Sequence, residues 1–169
     1  MKRYIVALLV ASLLSPALLV AQTSPDTSQT AKASSGFDVV ADQALAAMKA
    51  KAQTMGIGGV AVVAYFEGDT IQAWSSKMIV VGRYKDLPTA TDKGSNLLGI
   101  AYAKASEMAD TLKDSGSGIR PPMTGEFGWN GGVIARGKTG YVIAAFSGGK
   151  SDDDVQISRE GLSKLKAKL

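Results

Sequence analysis

Apolar positions recur along this chain with two different periods. From Asp38 to Met55, Ala41, Ala44, Leu45, Met48, Ala52 and Met55 fall at helical spacing, and Gly56 supplies the stop. Gly59 to Phe66 is a near-continuous apolar run. The turn Glu67-Gly68-Asp69 and a second strand, Thr70 to Ser76, make residues 59–76 a predicted hairpin. Lys77 to Tyr84 is another β-rich piece, strongest at Met78 to Val81, and Pro88 with its polar neighbours breaks it over 85–94. Ser95 or Asn96 then caps a helix running to Lys113, with the stripe Leu97, Leu98, Ala101, Ala105, Met108 and Leu112. Asp114 to Trp129 is a long loop, of the kind that in a compact domain is functional or mobile. A second hairpin follows: Gly131-Gly132, the run Val133-Ile134-Ala135, the turn 136–139, the run Tyr141 to Phe146, and the corner Ser147-Gly148-Gly149-Lys150. Ser151-Asp152-Asp153-Asp154 opens a closing helix that buries Val155, Ser158, Leu162, Leu165 and Leu169. Hairpins rather than βαβ crossovers predict an α/β chain of the α+β kind, an antiparallel sheet of about five strands with helices packed on it.

The first residues carry an address. Lys2 and Arg3 are a positive start, Ile5 to Leu14 an apolar core too short for a comfortable membrane span, and Pro16 to Ala21 an exit. This is the layout of a signal peptide, with cleavage expected after Ala21, Ala17 being the second choice and a retained anchor the alternative. The expected location is therefore periplasmic or extracellular, with no stable membrane span after cleavage. Gln22 to Gly36, rich in Ser, Thr, Ala and Gln, reads as a flexible tether, leaving 37–169 as one domain.

Export changes the charge argument. The chain has 19 basic and 15 acidic residues, a net charge of +4. Loss of Lys2 and Arg3 with the leader reduces that excess by half, and no basic stripe with interleaved aromatics suggests nucleic acid. The chain has no histidine and no cysteine. That excludes Ser-His-Asp and HExxH chemistry, thiol nucleophiles, thiolate metal sites and disulfides. What remains is carboxylate, Lys and Tyr chemistry, or Tyr or Met as a ligand to haem iron.

Two motifs dissolve on inspection. Gly132 to Thr139 satisfies GxxxxGK[ST], but Val133-Ile134-Ala135 is strand material and another strand follows Thr139, so the strand–loop–helix context of a phosphate loop is missing. Asp152-Asp153-Asp154 imitates a cation site, yet carboxylates in a helix's first turn are favoured by the exposed amides there. Lys104 is more informative. On a helical wheel it sits at the margin of the buried stripe, while Glu107, Asp110 and Asp114 lie toward the other side. It either snorkels to water or points into a pocket as an anion contact. Tyr102 is open between packing and a ligand role. Phe127-Gly128-Trp129-Asn130-Gly131-Gly132 reads either as a loop that covers a flat ligand or as a tight turn whose Trp129 caps the core edge.

Three stretches carry a resemblance. Gly58-Gly59-Val60-Ala61-Val62-Val63 after the opening helix, Ile100-Ala101-Tyr102-Ala103-Lys104-Ala105, and Gly131 to Leu162 with its Ser147-Gly148-Gly149 corner together resemble the GlcG/HbpS-like family, often called haem-degrading or haem-binding. The likeness spans Val39 to Leu165. It implies a profilin-like domain, assembly into a homo-oligomer, and a small-molecule ligand, with haem or a related tetrapyrrole foremost. The chain departs from the family in lacking a histidine for haem iron and in residues 78–92. The expected ligand contacts are Lys104 for an anion, Tyr102 for iron or ring, Trp129, Asn130, Gly131 and Gly132 over the ligand, and Arg83 and Tyr84 at the far rim. No acid–base pair is placed by spacing, which leans against an enzyme. An assembly or interaction module without a small ligand is the alternative.

Overall fold

The run Gly59 to Phe66 is buried at every position, so the strand it forms can only be central, covered on both faces. The computed structural model describes residues 27–169, with side chains from residue 36 onward. The expected leader (1–21) and the first part of the expected tether lie outside the described residues. Strand β1 (Gly59–Glu67) pairs antiparallel with β2 (Ser75–Val81) on one side and with the later strand β6 (Gly140–Ser147) on the other. Strand β5 (Gly132–Arg136) pairs with β6 and completes a four-stranded antiparallel sheet of order β2-β1-β6-β5. The chain is thus an α+β fold, as the pattern predicts.

Among the described residues three helices cover the sheet, two on one face and one on the other. Helix α1 (Thr27–Thr54) and helix α3 (Ser151–Lys166) pack on the face that presents Ala61, Val63, Tyr65, Val142, Ala144 and Phe146. Helix α2 (Leu97–Thr111) packs on the face that presents Val60, Val62, Ala64, Phe66, Ile143 and Ala145. The strict alternation along β1 and β6 is the period-two signature of a strand with two buried faces. Among the described residues no helix is long and apolar enough to cross a membrane.

Several boundaries differ from the sequence expectation. Helix α1 begins at Thr27, inside the segment expected as a tether, and Phe37 is buried in the core. No proline interrupts this stretch, and Gln, Ala and Lys extend a helix readily once its C-terminal half is docked. Its end is as expected: Gly56 takes φ +71°, and Ile57 N donates to Ala52 O at 2.9 Å. The expected strand Thr70–Ser76 is mostly loop. β2 instead starts at Ser75 and runs to Val81, because this register sets the β-branched Ile79, Val80 and Val81 against Ala61, Val60 and Gly59 and carries the pairing on to Tyr65 with Ser75. The sheet therefore has four strands rather than five, and the remaining β structure is a separate ribbon of β3 (Lys85–Asp86) and β4 (Ser95–Asn96). Residues 137–139 are the β5–β6 turn, with Gly137 N donating to Gly140 O at 2.8 Å, so the phosphate-loop pattern is a hairpin.

Candidate functional site

Asn96 ends β4 and caps α2, its side-chain oxygen accepting from Gly99 N at 3.0 Å. From that cap, Leu97, Ile100, Ala101, Lys104, Ala105 and Met108 all fall on the buried face of α2. Lys104 does not snorkel: it is 3% exposed. Its Nζ donates to Asp154 Oδ2 at 2.9 Å and to Phe146 O at 2.8 Å. Asp154 sits in the first turns of α3, also 3% exposed, and its other oxygen accepts from Gly149 N at 2.8 Å. The ion pair therefore reaches past the end of β6, joining a helix on one face of the sheet to a helix on the other.

Gly131 makes this crossing geometrically feasible. Its φ is +135°, and a Cβ there would collide with Lys104 Nζ and stand 2.9 Å from Asp154 Cβ. The Gly131 carbonyl is held by Ser158 Oγ at 2.7 Å and by Phe146 N at 3.1 Å. Burial pushes the Lys104 ammonium below the usual lysine range, against the attraction of Asp154. Burial likewise pushes the Asp154 carboxyl up, against Lys104 and the Gly149 and Gly148 amides.

The pair is part of the lining of a cleft of about 170 Å³. Ser147 to Gly149 and Ser151 form one wall; Asp86, Ser95 and Ile100 form another, and Trp129 and Asn130 a third. Ser95, Ile100 and Trp129 also line an adjoining groove of about 340 Å³, together with Asn96, Gly99 and Phe127. Trp129 is 51% exposed there and packs on Phe127 with ring centroids 4.8 Å apart. Trp129 is thus not a cap on the core edge. The loop that carries it is ordered by polar bonds. Ser115 Oγ accepts from Gly132 N at 2.8 Å, and the Asn130 side-chain amide, once turned nitrogen for oxygen to satisfy its neighbours, donates to Gly116 O and Ser115 O at 3.1 and 3.2 Å. Arg120 bridges Asp110 and Glu126 at 2.6 and 2.7 Å. Glu107, placed by the wheel toward the solvent side, is buried instead, because this loop folds back and Gly116 N donates to it at 2.8 Å.

The expected site residues separate accordingly. Lys104, Trp129 and Asn130 line one cleft, and Gly131 and Gly132 lie behind it, Gly132 packed against Met108 and Ser115. Tyr102 is not with them. Two positions from Lys104 on the helix, it faces a separate groove of about 350 Å³ beside Trp74 and Ile71. Arg83 is a clamp rather than a rim: it pairs with Asp86 at 2.6 Å and donates to Gly58 O and, at 2.8 Å, to Gly148 O. The bridge of Val81 with Arg83 turns the chain there and directs the guanidinium over those carbonyls. Tyr84 is 49% exposed and touches Lys85; the rim residue is Asp86.

Asp154 is a member of the candidate site that its position in the sequence does not announce. Its signal was present: Asp154, Ile157, Ser158, Gly161 and Leu165 share one helical stripe, and a carboxylate on an apolar stripe calls for a buried cation. Haem iron held by this protein would need Tyr or Met, and neither lines the cleft or its groove, so the residues present do not fit a protein-ligated haem here. Among the described residues no cluster of acidic side chains is placed to hold a metal ion. Comparison with known proteins finds no matching family model, no matching curated protein and no matching solved structure.

Proposed function

We propose that this protein binds a small planar ligand in the cleft between α2, the loop ending at Asn130 and the start of α3. The observation that carries this reading is one cleft lined by both an exposed tryptophan and a buried ion pair. Pockets that combine apolar walls with a few convergent polar groups are the common form of small-molecule sites. Phe127 and Trp129 offer faces for a ring, and Gly99 leaves room beside Ile100. The charge of Lys104 is already answered by Asp154, so the polar end of the ligand meets an ion pair and not a lone cation. Haem stays within the planar class as a ligand without a protein-bound iron, on the strength of the GlcG/HbpS-like resemblance. The leader pattern supports export of the protein.

The test is fluorescence titration of a Trp74→Phe variant, in which Trp129 is the remaining indole, with hemin, metal-free protoporphyrin and smaller aromatic probes. Saturable quenching at a defined stoichiometry is expected, together with its weakening when Phe127, which packs on Trp129 in the groove, is replaced in a folded Phe127→Ala variant of the same background. Unsaturable changes with every probe would overturn the reading.

One observation favours assembly as well. The outer edge of β5 is covered, since Ser115 N donates to Gly132 O at 3.3 Å and Ile134 N to Asp114 Oδ1 at 3.0 Å. The outer edge of β2 has no strand beside it among the described residues. Its one charged side chain, Lys77, is drawn away to Asp42 on α1 at 3.1 Å. An edge without a guarding charge is a surface for a second copy of the chain.

A further inference from the structure

A primary amine in the lining of a cleft is a nucleophile as well as a charge. Lys104 Nζ has a carboxylate oxygen at 2.9 Å and a carbonyl oxygen at 2.8 Å, so a proton acceptor is in place beside the nitrogen. Burial brings ammonium and carboxyl closer to sharing their proton than an exposed pair would be. The cleft of about 170 Å³ has room for about six water-sized groups, enough for a formyl group and its first neighbours but not for a large ring. The ring's place is the adjoining apolar groove under Phe127 and Trp129.

We infer that Lys104 is a covalent attachment site for aryl aldehydes, which it holds as an imine with the ring in the Trp129 groove. This rests on the reading of the cleft as a planar-ligand site. The ammonium proton passes to Asp154, and the freed nitrogen lone pair attacks the aldehyde carbon to form the C–N bond. A carbinolamine results once the second nitrogen proton reaches the former carbonyl oxygen. Asp154 then returns its proton to that hydroxyl, which leaves as water as the C=N bond forms. The product is a protonated imine beside an Asp154 carboxylate, so one cation faces one anion before and after. No oxidant or reductant takes part, and the reaction is reversible until the C=N bond is reduced. An imine site needs a deprotonatable amine, a proton shuttle and a pocket for the carbonyl substituent; this cleft has all three.

The experiment is reductive trapping on the full chain, with benzaldehyde or pyridoxal at one equivalent, cyanoborohydride, and peptide mapping by mass spectrometry. A single adduct at Lys104 is expected, forming faster than on any other lysine. Lys104→Arg, which keeps the cation beside Asp154, should lose that adduct. Asp154→Asn should slow it about a hundredfold and shift its pH profile. Trp129 quenching by benzaldehyde without a Lys104 adduct would overturn the imine and leave the ligand cleft standing. Absence of both would overturn the two together. Equal labelling of many lysines, unchanged in a folded Lys104→Arg variant, would also overturn the imine.

Discussion

Lys104 and Asp154 have each given up water that only the other, with a few backbone groups, replaces. At side-chain exposures of 4% on both sides, removal of one partner strands the other as a buried charge. Losing one member of such a pair costs about 3–5 kcal/mol, whereas replacing both by apolar groups of similar volume is often neutral or better. Urea denaturation should therefore find Asp154→Ala destabilised by about 3–5 kcal/mol, and Lys104→Met with Asp154→Leu restored to near the parent. A pair that contributed nothing would show neither the loss nor the recovery. The residue scale is also where the sequence was least legible. Lys104 was visible as an oddity on a helical stripe, but its partner is fifty positions away and was read as a helix-start carboxylate. A helix start is favourable for any aspartate, so the general rule hid the particular one. Tyr102 and Arg83 were misplaced for a related reason: wheel position and adjacency say which face a side chain leaves from, not what the loops have built over it.

At the scale of elements, periodicity carried most of the way. The α2 and α3 helices and the β5–β6 hairpin follow from 3.6- and 2-residue patterns that packing on the sheet reinforces. The second strand differs from the sequence pattern because Thr70 to Trp74 has strand-like residues, while the paired length is that of residues 75–81. The loop of residues 112–131 had no period to read. Its order comes from ion pairs and side-chain-to-backbone bonds, chiefly Arg120 between Asp110 and Glu126, and Glu126 accepting from Met123 N at 2.8 Å. The Arg120 guanidinium and the Met123 amide hold the Glu126 carboxyl down at about 2, from an ordinary 4.5. A carboxyl depressed in the folded state contributes its stability fully above its unfolded value and loses it as pH falls through the folded one. The loop should thus keep its hydrogen-exchange protection above pH 4.5 and lose it on acidification toward pH 2. In Glu126→Gln the protection should be low already at neutral pH and nearly flat with acid.

Across the whole molecule, one sheet carries two cores of different make. The α1–α3 face is built around Phe37, Met48, Phe146, Ile157 and Leu165, and the α2 face around Val60, Val62, Phe66, Met108 and Ile143. The α+β class was legible because hairpins exclude crossovers; the split of helices between faces was not, since both faces of β1 are equally apolar. The uncovered β2 edge makes its prediction at this scale. Light scattering should find more than one copy per particle, and Val80→Lys, at a position 39% exposed on that edge, should shift the particle toward a single copy. A parent of one-copy mass would remove the edge as an assembly surface.

The ion pair at the end of β6 belongs to the cleft and to the connection between the two layers at once. Any molecule that settles against it adds its binding free energy to the folded state alone, about 2.7 kcal/mol at a hundred times its dissociation constant. Thermal denaturation of the unlabelled protein is therefore a ligand detector in its own right. A compound library can be ranked by the rise in melting temperature, with the folded Trp129→Ala variant separating cleft ligands from molecules that stabilise some other surface.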